Sequence, residues 1–261
     1  MLLEVSDLEI SYGEKITVQG VNFKLDEGEI LTIVGESGSG KTTVIRAILN
    51  VLPGGGSVTK GEIIFENNNL REFDNDSWRN LRGKDISMIF QDSGNMMNPV
   101  QTIGKQFVEY IQVHSDLDKK AAYDMAIEKL VLMNLPNPEN IMDSYTFELS
   151  GGMRQRVGIA MAITFQPKLL LADEPTSALD VTTQAQIVGE LMYITRGTGA
   201  AMIMVTHNLG VASYLSDNLM VMSQGKVVEY GKTEDVLNNP QAEYTKTLLA
   251  AVPEIGGRRY V

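Results

Sequence analysis

One stretch, Gly35-Glu36-Ser37-Gly38-Ser39-Gly40-Lys41-Thr42, constrains this chain more than any other. It fits G-x-x-x-x-G-K-[ST], a loop whose backbone N–H groups cradle phosphates. Ile30-Leu31-Thr32-Ile33-Val34 before it is a short β-branched apolar run, the pattern of a buried parallel strand. Thr43-Val44-Ile45-Arg46-Ala47-Ile48-Leu49 after it reads as a helix. Strand, glycine loop and helix together aim successive N–H groups and a helix N-terminus at one point, where an anion can sit. Lys41 would then reach the β- and γ-phosphates and Thr42 would put its hydroxyl on Mg²⁺. The dinucleotide pattern G-x-G-x-x-G fails, because Thr43 stands where its third glycine belongs. The loop therefore predicts a nucleoside triphosphate site.

The flanking patterns predict an α/β protein. Leu3, Val5, Leu8 and Ile10, then Ile16, Val18, Val21, Phe23 and Leu25, alternate as antiparallel strands, with a turn over Ser11–Lys15 that holds Tyr12. Tyr12 could stack on a base from there. Pro53–Ser57 reads as a loop, Ile63–Phe65 resumes the strand pattern, and Ile86–Phe90 is an apolar run ending on Gln91. Between residues 92 and 165 the period shifts toward 3.6. Ala122, Met125, Ala126, Leu130 and Met133 share one face of a helix over Lys119–Leu135, which Pro136 and Pro138 should end. These methionines read as core rather than as a metal box. From residue 169 strands and helices alternate: Leu169–Ala172, Thr182–Thr195, Met202–Val205, Asn208–Leu215, then a hairpin of 219–222 and 227–230 around Gln224-Gly225. Parallel units of this kind place ligands at strand C-termini.

Two carboxylates, Asp173 and Glu174, follow Leu169-Leu170-Leu171-Ala172 at such an end. A magnesium ion carrying phosphates takes about one carboxylate, one hydroxyl and waters from its surroundings, so Asp173 and Thr42 suffice. Glu174 would point elsewhere and polarise the water that attacks the γ-phosphate. His207, after the strand Met202–Val205, can hydrogen-bond that phosphate, whereas His114 reads as structural. Leu149-Ser150-Gly151-Gly152-Met153-Arg154-Gln155-Arg156 forms a second anion-binding helix start, with Ser150 as cap and two glycines for close approach. Two cradles in one chain make sense if each closes on a partner subunit's nucleotide.

Taken in order, these motifs resemble those of the nucleotide-binding subunits of ABC transporters. The phosphate loop matches Walker A, Leu149–Gln155 the signature, Leu169–Glu174 Walker B and Ser177-Ala178-Leu179-Asp180 the D-loop. Gln91, His207 and Tyr12 match the Q-loop, H-loop and A-loop residues. The resemblance implies a P-loop ABC-type α/β core with an N-terminal antiparallel β subdomain and an inserted helical subdomain. It would be one nucleotide-binding domain over 1–261, with 92–165 as the helical part and 1–91 with 166–261 as the core. ATP and Mg²⁺ are the implied ligands. Tyr12, Gly35, Ser37, Gly38, Ser39, Gly40, Lys41, Thr42 and Thr43 would bind ATP, with Ser150, Gly151, Gly152 and Asp180 acting across a subunit interface. Glu174, His207 and Gln91 would be catalytic, and Thr42, Gln91 and Asp173 would hold the metal.

A narrower resemblance points to the oligopeptide/dipeptide/nickel importers. It rests on Leu52-Pro53-Gly54-Gly55-Gly56, Phe90-Gln91-Asp92 with Asn98-Pro99, and Tyr244–Pro253. Ser93 departs from that family's usual proline, and Met153 from the general signature's glutamine. The chain stops soon after Pro253, and with no cysteine it points away from an iron–sulfur extension and toward shorter, metal-type members. The implied partners are two membrane permease subunits, a second ATPase subunit (a heterodimer, or else a homodimer) and, indirectly, an extracytoplasmic binding protein. The expected location is the cytoplasmic face of the membrane. A net charge of −11 argues against broad nucleic-acid binding. Two rivals remain: a soluble ABC ATPase of translation or DNA repair, and a regulatory subunit that binds ATP without hydrolysing it. The first lacks support from a second cassette or sustained heptads, and the second sits poorly with intact Glu174 and His207.

Overall fold

The computed structural model describes residues 1–177 and 179–251, with 254–255 and 258–259 by backbone alone. Ala178 of the expected D-loop and Val252-Pro253 of the tail motif lie outside the described residues. The chain packs as two units, Met1–Asp76 with Gly199–Val261, and Ser77–Thr198. The expected helical segment 92–165 lies within the second.

The first unit opens with β1 (Leu3–Tyr12), β2 (Lys15–Leu25), β3 (Ile30–Gly35), α1 (Lys41–Ile48), β4 (Gly56–Phe65) and β5 (Asn68–Asn69). β1 runs antiparallel between β2 and β4. The alternation in β1 changes phase between Val5 and Leu8 because the register shifts there, with Asp7 at φ 49. That bulge keeps Leu3, Val5, Leu8 and Ile10 all buried. Two boundaries differ from the sequence reading. Tyr12 closes strand β1 instead of lying in the turn, and Gly56 already belongs to β4.

The second unit holds α2 (Asn75–Leu81), β6 (Ile86–Ile89), α3 (Ser93–Met96), α4 (Ile103–His114), α5 (Lys119–Leu132), α6 (Pro138–Asp143), α7 (Gly151–Ala162), β7 (Leu169–Asp173) and α8 (Val181–Thr198). β6 and β7 pair in parallel. Side chains cap the helices: Thr102 accepts from the Lys105 N–H, Asp118 from Ala121 and Ser150 from Met153. Pro136 and Pro138 do not end α5. It stops at Leu132, Asn134 turns left-handed at φ 51, and Pro138 opens α6 in its first turn. His114 packs edge-on against Tyr110 (5.0 Å between ring centroids) and Phe165 (5.7 Å). Burial, with Lys84 and Arg79 nearby, holds its pKa below the usual histidine value.

The chain then returns to the first unit with β8 (Ala201–Val205), α9 (Leu209–Leu215), β9 (Asn218–Ser223), β10 (Lys226–Lys232), α10 (Thr233–Asn238) and α11 (Glu243–Ala250). Two short backbone strands, β11 (Glu254–Ile255) and β12 (Arg258–Arg259), pair with each other. β3 is flanked in parallel by β8 and β9, and all six of its residues are buried, which is why its sequence is apolar but for Thr32. β9 and β10 form the expected hairpin.

Candidate active site

In the first unit, two segments leave β3 and β8 at one edge. Ile33 pairs with Val205, so the loop after Gly35 and the residues after Val205 emerge side by side. Gly35 has φ 150, and a Cβ there would lie 2.1 Å from the Met222 carbonyl oxygen, so only glycine fits. Lys41 is 4% exposed, and its ammonium donates to the carbonyls of Gly35 (3.0 Å) and Glu36 (2.8 Å). Two carbonyls thus set the cation within the loop. Ser37 and Gly38 are exposed, Gly40 is buried, and Thr42 and Thr43 are half-buried in the first turn of α1. Ser39 Oγ is buried with no hydrogen-bond partner among the described residues. An unsatisfied hydroxyl, a lysine and a helix N-terminus at one loop suit an anion with several oxygens.

The turn of the β9–β10 hairpin clasps this loop. Gly225 N–H donates to the Ser39 carbonyl (3.1 Å), and its own carbonyl accepts from Gln19 N–H (2.8 Å). A Cβ at Gly225 would meet the Thr17 carbonyl at 2.2 Å. His207 is exposed between two tethered neighbours. Thr206 N–H bonds Ile33 (3.2 Å), and Asn208 caps α9 through Gly210 and Val211. Tyr12 is half-buried at the end of β1, its ring lying against Gly56.

The second unit carries Gln91, Asp173 and Glu174. Ile89 and Ala172 are the last pair in register on β6 and β7, so Gln91 and Glu174 each lie two residues beyond that pair. Gln91 Nε2 donates to Glu174 Oε2 (3.3 Å) and to Ser177 Oγ (3.2 Å). Asp173 is 2% exposed, whereas Glu174 is half-buried and left-handed at φ 45. That backbone costs on the order of 1–3 kcal/mol. Strain of this kind at a strand end is typical of functional positions.

Ser150 and Gly151 are exposed at the start of α7, and a Cβ on Gly152 would lie 2.9 Å from Thr183 on α8. Asp180, expected in the nucleotide site, caps α8 with its carboxylate, accepting from Thr183 N–H (3.0 Å) and Oγ1 (2.8 Å). Those two bonds lower its pKa. The structure thus groups Gln91 with Glu174 and Ser177, and the signature with Asp180 and Thr183.

Sequence reasoning missed Gln155. It is 4% exposed on α7, donates from Nε2 to the Phe90 carbonyl (3.0 Å) and accepts at Oε1 from Ser93 N–H (3.2 Å). A proline at 93 would have no N–H to give, so the departure noted in the sequence completes this clasp. The available signal was a glutamine in phase with Ile159 and Ala162 on an apolar helix face. Gln155→Leu should strand a buried carbonyl and an N–H, costing about 1–3 kcal/mol in urea unfolding. A cost within measurement error would mean the clasp holds nothing.

Among the described residues no three or more histidine and carboxylate side chains cluster as a metal cage. Thr42, Asp173 and Gln91, the expected donors, each offer oxygen, the donor type a hard cation takes. Nor, among the described residues, is any helix long and apolar enough to cross a membrane.

The ABC transporter family matches residues 18–177, and the oligopeptide/dipeptide transporter C-terminal region matches 228–260. The chain is 45% identical over 97% of its length to the oligopeptide transport ATP-binding protein OppD of Bacillus subtilis, covering 72% of that protein. It is 41% identical over 97% of its length to the dipeptide transport ATP-binding protein DppD of Haemophilus influenzae, covering 78% of it. Among solved structures it resembles the ATP-binding cassette MJ0796, as a dimer bound to ADP and phosphate after hydrolysis. That match has a TM-score of 0.79 and 28% identity, over 89% of this chain and 99% of the other.

Proposed function

The chain belongs to the ABC transporter family, and from that premise we propose that it is the ATP-hydrolysing subunit of a peptide importer. The observation that carries the reading is the cassette at 18–177 followed in one chain by the peptide-transporter region at 228–260. The relatives named above are ATP-binding proteins of oligopeptide and dipeptide transport, which weighs for peptides over nickel as the cargo.

ATP is the substrate. In our reading the N–H groups of the loop and of the first turn of α1 receive the phosphates, and the Lys41 ammonium neutralises them. Tyr12 presents its ring to the base. Glu174 accepts the proton of the water that attacks the γ-phosphorus, and His207 hydrogen-bonds a γ-phosphate oxygen. Thr42, Asp173 and Gln91 would hold Mg²⁺. When bound, the ion would offset the negative charge that develops on the phosphates. Ser150, Gly151 and Gly152 would close on the ATP of a second ATPase subunit, giving the assembly two composite sites. Closing and opening of that pair would move two attached permease subunits at the cytoplasmic face of the membrane.

The test is a tagged pull-down from detergent-solubilised membranes with mass spectrometry. Recovery of two permease subunits and a second ATPase is expected. Recovery of ribosomes or repair factors alone would overturn the transport reading.

A further inference from the structure

The C-terminal helix reaches the phosphate loop directly. Tyr244, in the first turn of α11, accepts at its phenol oxygen a hydrogen bond from Glu36 N–H (3.1 Å), across 208 residues of sequence. The other side of that same peptide is the Gly35 carbonyl, which accepts from Lys41 Nζ (3.0 Å). The C=O and N–H of a trans peptide point in opposite directions. The Gly35–Glu36 plane is therefore gripped from both sides, by the lysine on one and the phenol on the other. The next carbonyl, Glu36 O, also accepts from Lys41 Nζ (2.8 Å) and from Ser39 N–H (3.2 Å).

The helix itself is anchored. Glu229 accepts from the N–H groups of Gln241 (2.7 Å) and Ala242 (3.1 Å), just ahead of α11. Tyr244, Leu248 and Leu249 pack into a cluster with Val34, the residue before Gly35, and with Leu209 and Ala212 of the helix that follows His207. The phenol's position is thus set by the core beneath the loop.

We propose that Tyr244 is a positioning residue for ATP binding: its phenol fixes the Gly35–Glu36 peptide whose carbonyl carries Lys41. This rests on reading the loop as the ATP site. Phenylalanine keeps the ring in its cluster and removes only the acceptor, which separates positioning from packing.

The full-length chain and its Tyr244→Phe and Tyr244→Leu variants are titrated with the Mg²⁺ complex of the non-hydrolysable analogue AMP-PNP by calorimetry. Thermal melts, ATPase kinetics and backbone amide exchange are recorded in parallel. Tyr244→Phe is expected to raise Kd and KM about fivefold, leave kcat within about twofold and speed exchange of the Glu36 amide. Its Tm stays within about 2 °C. Tyr244→Leu shows the same rise in Kd together with a lower Tm. A Tyr244→Phe Kd and Glu36 exchange rate equal to wild type would overturn the proposal and leave α11 a packing element. Failure of the wild type to bind the analogue would instead remove the ATP-site reading and take the proposal with it.

Discussion

Glu174→Gln should reduce steady-state hydrolysis by on the order of 10³-fold while leaving ATP affinity within about threefold. Glutamine has the shape of glutamate and keeps an oxygen to accept from Gln91, so the local network at 3.3 Å survives. What it lacks is the basic oxygen that takes a proton from water. The left-handed backbone at φ 45 is no worse for glutamine than for glutamate, so the fold should not change. Phosphate release and analogue binding, measured on the same preparation, check both halves of the expectation. Wild-type turnover would remove Glu174 as the base.

Lys41→Ala should act earlier, on binding. Charge-assisted hydrogen bonds are worth roughly 1.5–3 kcal/mol, so losing the ammonium should weaken ATP binding about 10- to 150-fold. The substitution also removes the Nζ bonds to the carbonyls of Gly35 and Glu36, of which Glu36 keeps its bond from Ser39 N–H. Arginine is not a conservative replacement, because its planar fork cannot stand between those two carbonyls as a compact ammonium does. Calorimetric titration is the check. An unchanged affinity in a variant with a normal melt would mean that the lysine serves the loop's conformation and not the phosphates.

Much of the fold and the phosphate loop could be read from the sequence because their causes are local. A glycine loop between a β-branched strand and a helix start is determined within about fifteen residues. The strands β6 and β7 were likewise legible as two apolar runs that end on Gln91 and on Asp173-Glu174, though not their pairing. What escaped the sequence depends on distance along the chain. Gln155 meets Phe90 and Ser93 across a helix and a loop, and Tyr244 meets Glu36 from another part of the chain. No periodicity announces such pairs. Asp180 was assigned to the nucleotide site by resemblance, yet its carboxylate caps α8, a role that the Asp-x-x-Thr spacing already allowed. Prolines misplaced the end of α5, because an asparagine turned left-handed first.

The clasp at Gly225 also means that the phosphate loop is completed late in synthesis. β3 lies between strands translated long after it, and Ser223 and Glu36, bonded in the finished loop, stand 187 residues apart. At ribosomal speeds of about 5–20 residues per second, roughly 10–40 s separate the synthesis of the two. During that interval every residue of the phosphate motif has been made, but the partners of its outer amide and carbonyl groups have not. The outer hydrogen bonds of the loop therefore form only with the β9–β10 strand pair and α11, long after the motif itself is made.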